Sequence, residues 1–209
     1  LGLVGLWLAR NWIAARLSPA WRARLANLTL VGMAAGALTL WVNVPRLPDG
    51  RLHLYFLDEG EGTATLIATP DGRQVLVDGG TNPRELAAAL GRILLELVVL
   101  TRPESGYLDG LVPLLNRYRV DRVLTKDFET KALAYQAWRD SLSSRSIPVS
   151  QAVPGLRIEM GQGAVLDVLG ANGPDEPVTL RFVWGDVSIL FSELDEPGES
   201  RLLAEGWGV

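Results

Sequence analysis

Residues 55–80 read YFLDEGEGTATLIATPDGRQVLVDGG, and this stretch decides the fold. A run ending at Asp58 meets Glu-Gly-Glu-Gly. A second β-like run, ATLIATP, then leads to the turn pair Asp71-Gly72, and a third, RQVLV, closes on Asp78-Gly79-Gly80. Short apolar runs punctuated by glycine and by Asp-Gly predict a meander of antiparallel strands. Extended back to Arg51, the first run becomes RLHLYFLD. His53, the single histidine, alternates there with Leu52 and Leu54 and so belongs to the opposite sheet face.

Downstream the pattern changes. Pro83 opens a helix in NPRELAAALGR, with Asn82 as its N-cap. LELVVLT (95–101) is apolar enough for a strand buried on both faces. Helices are expected in GLVPLLNRYRV (110–120) and TKALAYQAWRDSLSSR (130–145), with a strand DRVLT between them. IPVSQAV, LRIEM and AVLDVLG follow as strands, TLRFVWGDVSILFS as a hairpin turning at Gly185-Asp186, and EPGESRLLAEG as a last helix. This order predicts an α/β domain in which sheets lie between helices.

The first fifty residues are a different physical object. They carry five arginines against Asp49, a net +4, whereas the remaining 159 carry 15 basic and 23 acidic side chains, a net −8. The chain is 48% hydrophobic with a mean hydropathy of +0.17. LTLVGMAAGALTLWVNV (28–44) is apolar and close to the length that crosses a bilayer, with small residues suited to helix packing and Trp41 at an interfacial place. LGLVGLWLA reads as the end of an earlier span and RNWIAARLSPAWRAR as a basic cytoplasmic connection. One or two N-terminal transmembrane helices are therefore expected within residues 1–48. A domain over 49–209 would then lie on the extracytoplasmic face. A buried core helix of a soluble protein is the other reading.

The absence of cysteine excludes disulfides, thiolate ligands and a cysteine nucleophile. A single histidine also argues against a multi-imidazole zinc site.

The opening stretch resembles the start of the metallo-β-lactamase-like domain of ComEC-type competence proteins, the DNA-uptake channel family. Leu57, Asp58, Gly60, Gly62, Pro70, Asp71, Gly72, Leu76, Asp78, Gly79 and Gly80 match that family's L-D-V-G-Q-G-D, P-D-G and L-I-D-G-G segments. VVLTRPESGYLDGL then falls where the family has V-L-T-H-P-H-A-D-H-I-G-G-L, with Leu100, Thr101, Pro103, Gly110 and Leu111 in agreement. The resemblance covers roughly residues 50–209. It implies an αββα sandwich, C-terminally incomplete because Val209 precedes the family's H-H-G-S segment, and it implies a channel ahead of the domain.

The resemblance also implies a zinc or manganese pair, which would activate water toward a phosphodiester or similar substrate. The four ligand positions here are Arg102, Glu104, Gly106 and Tyr107. A guanidinium repels a cation, glycine offers no side chain, and a phenol stays protonated near neutral pH. Thr63 stands at the position of the G-Q-G-D aspartate and Leu194 at that of the G-D-I-E aspartate. The expectation is a pseudoenzyme with no catalytic residues and no cofactor. Residual oxygen ligands for Mg²⁺ or Ca²⁺ would be Asp58, Asp78, Glu104 and Glu193, or Asp195 after a one-residue slip. The plain alternative is that Asp78 orders a turn and Glu104 is a solvated loop charge.

Three functions follow. The leading one is a non-catalytic domain of a ComEC-like membrane protein associated with DNA uptake. The others are an active, nuclease-like hydrolase with a rebuilt carboxylate site, and a membrane-anchored interaction module. The net −8 argues against tight autonomous nucleic-acid binding, although Arg117, Arg119, Arg122 and Lys126 form a local basic run. The implied partners are the membrane and, through the complete protein, DNA.

Overall fold

The strands form as the turn chemistry dictates. β1 (His53–Asp58), β2 (Thr63–Ala68) and β3 (Gln74–Val77) make the expected antiparallel meander. At the β2–β3 turn the Gly72 N–H donates to the Thr69 carbonyl at 2.8 Å, and Gly72 takes a φ of +85° that a side chain would strain. The Thr69 hydroxyl donates to Asp71 at 2.6 Å, which with Arg73 holds that carboxyl below the usual range.

In this computed structural model residues 19–43, 48–58, 62–90, 94–171, 173, 176–192, 198 and 200 are described. The chain divides into two compact units, residues 1–47 and 48–209.

The first unit contains helix α1 (Pro19–Asn43), whose 25 residues make it about 37 Å long. Leu28, Leu30, Val31, Met33 and Leu38 on it are all exposed. Among the described residues, no helix is long and apolar enough to cross a membrane. The expected span at 28–44 falls on α1 as far as Asn43, and residues 1–18, where the earlier one was placed, lie outside the described residues.

In the second unit the chain continues from the meander into α2 (Pro83–Leu90). The Asn82 Oδ1 accepts the Arg84 N–H at 3.1 Å, as the Asn-Pro start predicts. Strands β4 (Leu97–Val99), β5 (Val123–Thr125) and β6 (Val149–Gln151) extend the sheet in parallel, giving six strands in chain order. β4 and β5 are buried at every position, which is why their sequences show no alternation. The single turn α3 (Ser105–Leu108), α4 (Leu111–Arg117) and α5 (Leu133–Ser144) connect these strands.

The second sheet has four antiparallel strands, β7 (Arg157–Gly161), β8 (Ala164–Gly170), β9 (Thr179–Trp184) and β10 (Val187–Phe191), in the order β10-β9-β8-β7. Its register places Ile158, Leu166, Phe182 and Ile189 in one row that packs into the core shared with the six-stranded sheet. The β9–β10 hairpin turns at Gly185-Asp186 as predicted. Two sheets with one core between them agree with the predicted α/β class. The predicted final helix at 196–206 lies largely outside the described residues.

The row on the opposite face sets Arg157, Asp167 and Arg181 side by side. Arg157 reaches both Asp167 oxygens at 2.7 and 3.1 Å, and Arg181 reaches one at 2.9 Å. The hydrogen bond from Arg157, aided by Arg181, holds the Asp167 carboxyl below its usual range against the opposing effect of burial. A depressed folded pKa contributes stability above the unfolded value of ~3.9, and that stability is lost as pH falls through the folded value. Arg157 is exposed and solvent screens its share, so Asp167→Asn is expected to cost about 1 to 2 kcal/mol at pH 7. In urea melts at pH 7, 5 and 3 the gap between wild type and variant should shrink only at the lowest pH.

Candidate functional site

Parallel strands release their following loops at one edge of a sheet, where α/β proteins usually place ligands. Here the carboxyl ends of β3, β4 and β5 present Asp78, Thr101-Arg102 and Lys126. A cleft of about 200 Å³ opens beside the first two, lined by Thr63, Thr65, Asp78 and Thr101 on one side and by Pro177, Val178 and Leu190 on the other.

Asp78 is buried and adopts a φ of +59°, a left-handed conformation that aspartate tolerates better than most residues. Its carboxylate accepts the Thr101 N–H at 2.7 Å through Oδ1 and the Thr101 hydroxyl at 2.6 Å through Oδ2. The Asp78 N–H in turn donates to the Val99 carbonyl. Asp78 therefore fastens the end of β3 to the loop after β4, and Thr101 is buried with it.

The loop at 102–107 takes part largely through its main chain. Arg102 is half-buried and Glu104 is exposed. The Glu104 carbonyl accepts the N–H groups of Tyr107 and Leu108, both at 3.1 Å, and so starts α3. A Cβ on Gly62 would come within 2.8 Å of the Gly106 carbonyl oxygen. Tyr107 packs against the core, and its carbonyl accepts the Gly79 N–H at 2.7 Å. Thr63 is exposed at the start of β2, with its carbonyl on the Gly80 N–H at 3.0 Å.

Of the remaining predicted positions, Asp58 ends β1 opposite Thr63. Glu193, Leu194 and Asp195 lie outside the described residues. His53 sits on β1 with its Nε2 3.0 Å from the Asp49 carboxylate and its ring stacked on Tyr55.

The surroundings of the two described carboxylates and of position 102 differ. Both Asp78 oxygens already accept hydrogen bonds, Glu104 is exposed, and a guanidinium stands at position 102. Among the described residues no three or more of His, Cys, Asp or Glu come together.

Lys126 departs from its expected place in a basic surface run. It is buried, with its ammonium on the carbonyls of Gly173 and Glu176 and 5.0 Å from the Phe128 ring. It grips the segment that leads to Pro177 and Val178, the far wall of the cleft. Its burial follows from partners 47 and 50 residues away, which no local pattern announces. Trp138 on α5 is fully buried. Trp184 is half-buried, with its indole N–H on the Gln162 carbonyl at 3.2 Å.

No family model and no curated protein matches the sequence. Among solved structures, the metallo-β-lactamase fold protein YhfI from Bacillus subtilis superposes with a TM-score of 0.50 and 14% identity, over 63% of this chain and 54% of its own. The domain has a metallo-β-lactamase-like fold. The metallo-β-lactamase Rm3 also matches, with a TM-score of 0.48 and 17% identity over 69% of this chain and 62% of its own. CmlA, a diiron β-hydroxylase from Streptomyces venezuelae, gives 0.53 and 19%, over 77% of this chain and 33% of its own. At such identities the likeness is one of fold. The chain spans less than two thirds of the length of each of these proteins.

The metallo-β-lactamase-like domain thus places Asp78, Thr101 and Thr63 at one cleft, with the 102–107 loop beside it. Motif order pointed to residues 102, 104, 106 and 107, which lie on that loop. Lys126 was missed as a neighbour of the cleft.

Proposed function

We propose that residues 49–209 form a non-catalytic metallo-β-lactamase-like domain of a ComEC-like membrane protein associated with DNA uptake. On this reading residues 1–48 attach it to the membrane and the domain lies on the extracytoplasmic face, as a scaffold or gate for the channel. The observation that carries the loss of catalysis is the use of the 102–107 loop. Arg102 and Gly106 occupy ligand positions with groups that cannot hold a cation, Tyr107 is a poor ligand while its phenol stays protonated, and the nearby carboxylate of Asp78 is already bonded to Thr101. A dimetal hydrolase needs several open donors around a water, and this loop supplies backbone contacts. The exposed apolar side chains of α1 support attachment to a membrane. The link to DNA uptake rests on the residue matches in 55–80 and 98–111.

Titration calorimetry of the full chain with Zn²⁺ and Mn²⁺ tests the non-catalytic reading. No heat at micromolar concentration, and a melting temperature unchanged by metal or EDTA, are expected. A stoichiometric metal that Asp78→Asn or Glu104→Gln releases would overturn it and restore the hydrolase. The uptake role predicts that disrupting the gene in its own organism lowers internalisation of labelled DNA, and unchanged internalisation would remove it.

A further inference from the structure

We propose that the groove between α2 and α4 docks an acidic amphipathic helix from a partner protein. The groove has a volume of about 440 Å³ and a largely apolar lining that includes Leu86, Ala87, Leu114, Tyr118, Pro83 and Pro113. Small side chains at Ala87 and Ala88 leave the space between the helices open. Arg84 on α2 and Arg117 on α4 also line it, and neither forms an ion pair among the described residues. Arg117 lies 5.7 Å over the Tyr118 ring, which orients its guanidinium at the rim.

Past Arg117 and Tyr118 a second hollow of about 350 Å³ continues the groove and adds Arg119 and Arg145. Arg145 bonds the Asn116 side chain at 3.0 Å, and among the described residues Arg119 alone of the four meets a carboxylate, Asp121 at 3.3 Å. A strip of guanidiniums thus borders an apolar trough on a unit whose residues 51–209 carry a net −8. Charge complementarity requires an acidic occupant, and the apolar lining requires one with an apolar stripe. A helix with leucine-like residues at i, i+3, i+4 and i+7 and carboxylates on both flanks meets both demands.

Nucleic acid fits less well, because Tyr118 is buried with its hydroxyl on the Ala87 carbonyl at 3.1 Å and Arg117 already lies over its ring, where a base would stack. A lipid surface would favour protruding apolar side chains, whereas this lining is recessed.

The test uses the full chain and a fluorescein-labelled 20-residue synthetic helix with leucine at that spacing and glutamate or alanine elsewhere. A scrambled peptide of the same composition is the control, and fluorescence anisotropy is the readout. Saturable binding is expected, weakened at least tenfold by scrambling, by Arg84→Glu with Arg117→Glu, and by 0.5 M salt. Ala88→Trp, which fills the groove without changing charge, should weaken it to a similar degree. Thermal melts check that each variant folds. Should the double reversal fail to fold, Arg84→Gln and Ala88→Trp carry the comparison. Absence of saturable binding, equal binding of the scrambled peptide, or indifference to the variants would overturn the proposal. So would tighter, arginine-dependent binding of oligothymidylate or of phosphatidylglycerol vesicles, which would reassign the groove to nucleic acid or lipid.

Discussion

Gly110→Ala is expected to destabilise the domain by about 3 kcal/mol or more and to lower its melting temperature by about 10 °C. Gly110 has ordinary helical torsions, φ −72° and ψ −26°, so the backbone conformation would accept alanine. The obstacle is space. A Cβ there would run into the Gly79 carbonyl oxygen and lie 2.8 Å from its carbonyl carbon. Neither partner can give way cheaply. The Gly79 N–H is bonded to the Tyr107 carbonyl at 2.7 Å, and the Gly110 N–H is bonded to the Gly80 carbonyl at 3.0 Å. Against a typical stability of about 5 to 15 kcal/mol such a loss leaves a large unfolded fraction at physiological temperature. Gly36→Ala is the control, since a Cβ there meets nothing within 4 Å and lies in a helix interior, where alanine is favoured by roughly 0.5 to 1 kcal/mol. Urea melts of the two variants decide the matter. A Gly110→Ala protein that unfolds with the wild type would mean that the loops after β3 and α3 do not approach so closely.

That close approach explains why so much of the fold was legible and why the site was less so. The meander, the Asn82 cap and the Gly185-Asp186 turn depend on neighbours a few residues away, so local chemistry specifies them. The single turn at Ser105–Leu108 went unread because four residues are too short for helical periodicity to register. The pairing of Asp78 with Thr101 joins residues 23 apart, and motif order brought both into view without showing that they bond to each other. Lys126 belongs to a third kind. Sequence context placed it beside three arginines, yet strand β5 ends just before it and turns its ammonium inward onto two carbonyls. The Arg157–Asp167–Arg181 row depends on strand register across β7, β8 and β9. That register shifts at Glu159/Gly161 and again at Val168/Gly170, so its cross-strand partners cannot be counted off the sequence.

Substitutions at Asp78 separate a structural carboxylate from a metal ligand. If Asp78 fastens Thr101, Asp78→Ala leaves a buried N–H and a buried hydroxyl without their acceptor, and it places alanine at a φ of +59°. The two lost hydrogen bonds and the backbone strain together should cost about 3 to 5 kcal/mol. Asp78→Asn keeps the tolerance for this conformation and one acceptor oxygen, so a smaller loss of about 1 to 2 kcal/mol is expected. Asp78→Gly relieves the strain alone and should fall between them. A carboxylate held for a cation behaves in the opposite way. Without metal it is a buried charge lacking its counter-ion, so removing it would leave the metal-free protein as stable as before or more so, and the difference would appear only on adding metal. Urea melts of the three variants and the wild type, with EDTA and with Zn²⁺ or Mn²⁺, distinguish the cases. The order alanine, glycine, asparagine, wild type, from least to most stable and the same in both solutions, is the expected result. A wild type stabilised by metal and variants that are not would make Asp78 a ligand and return the domain to the hydrolases.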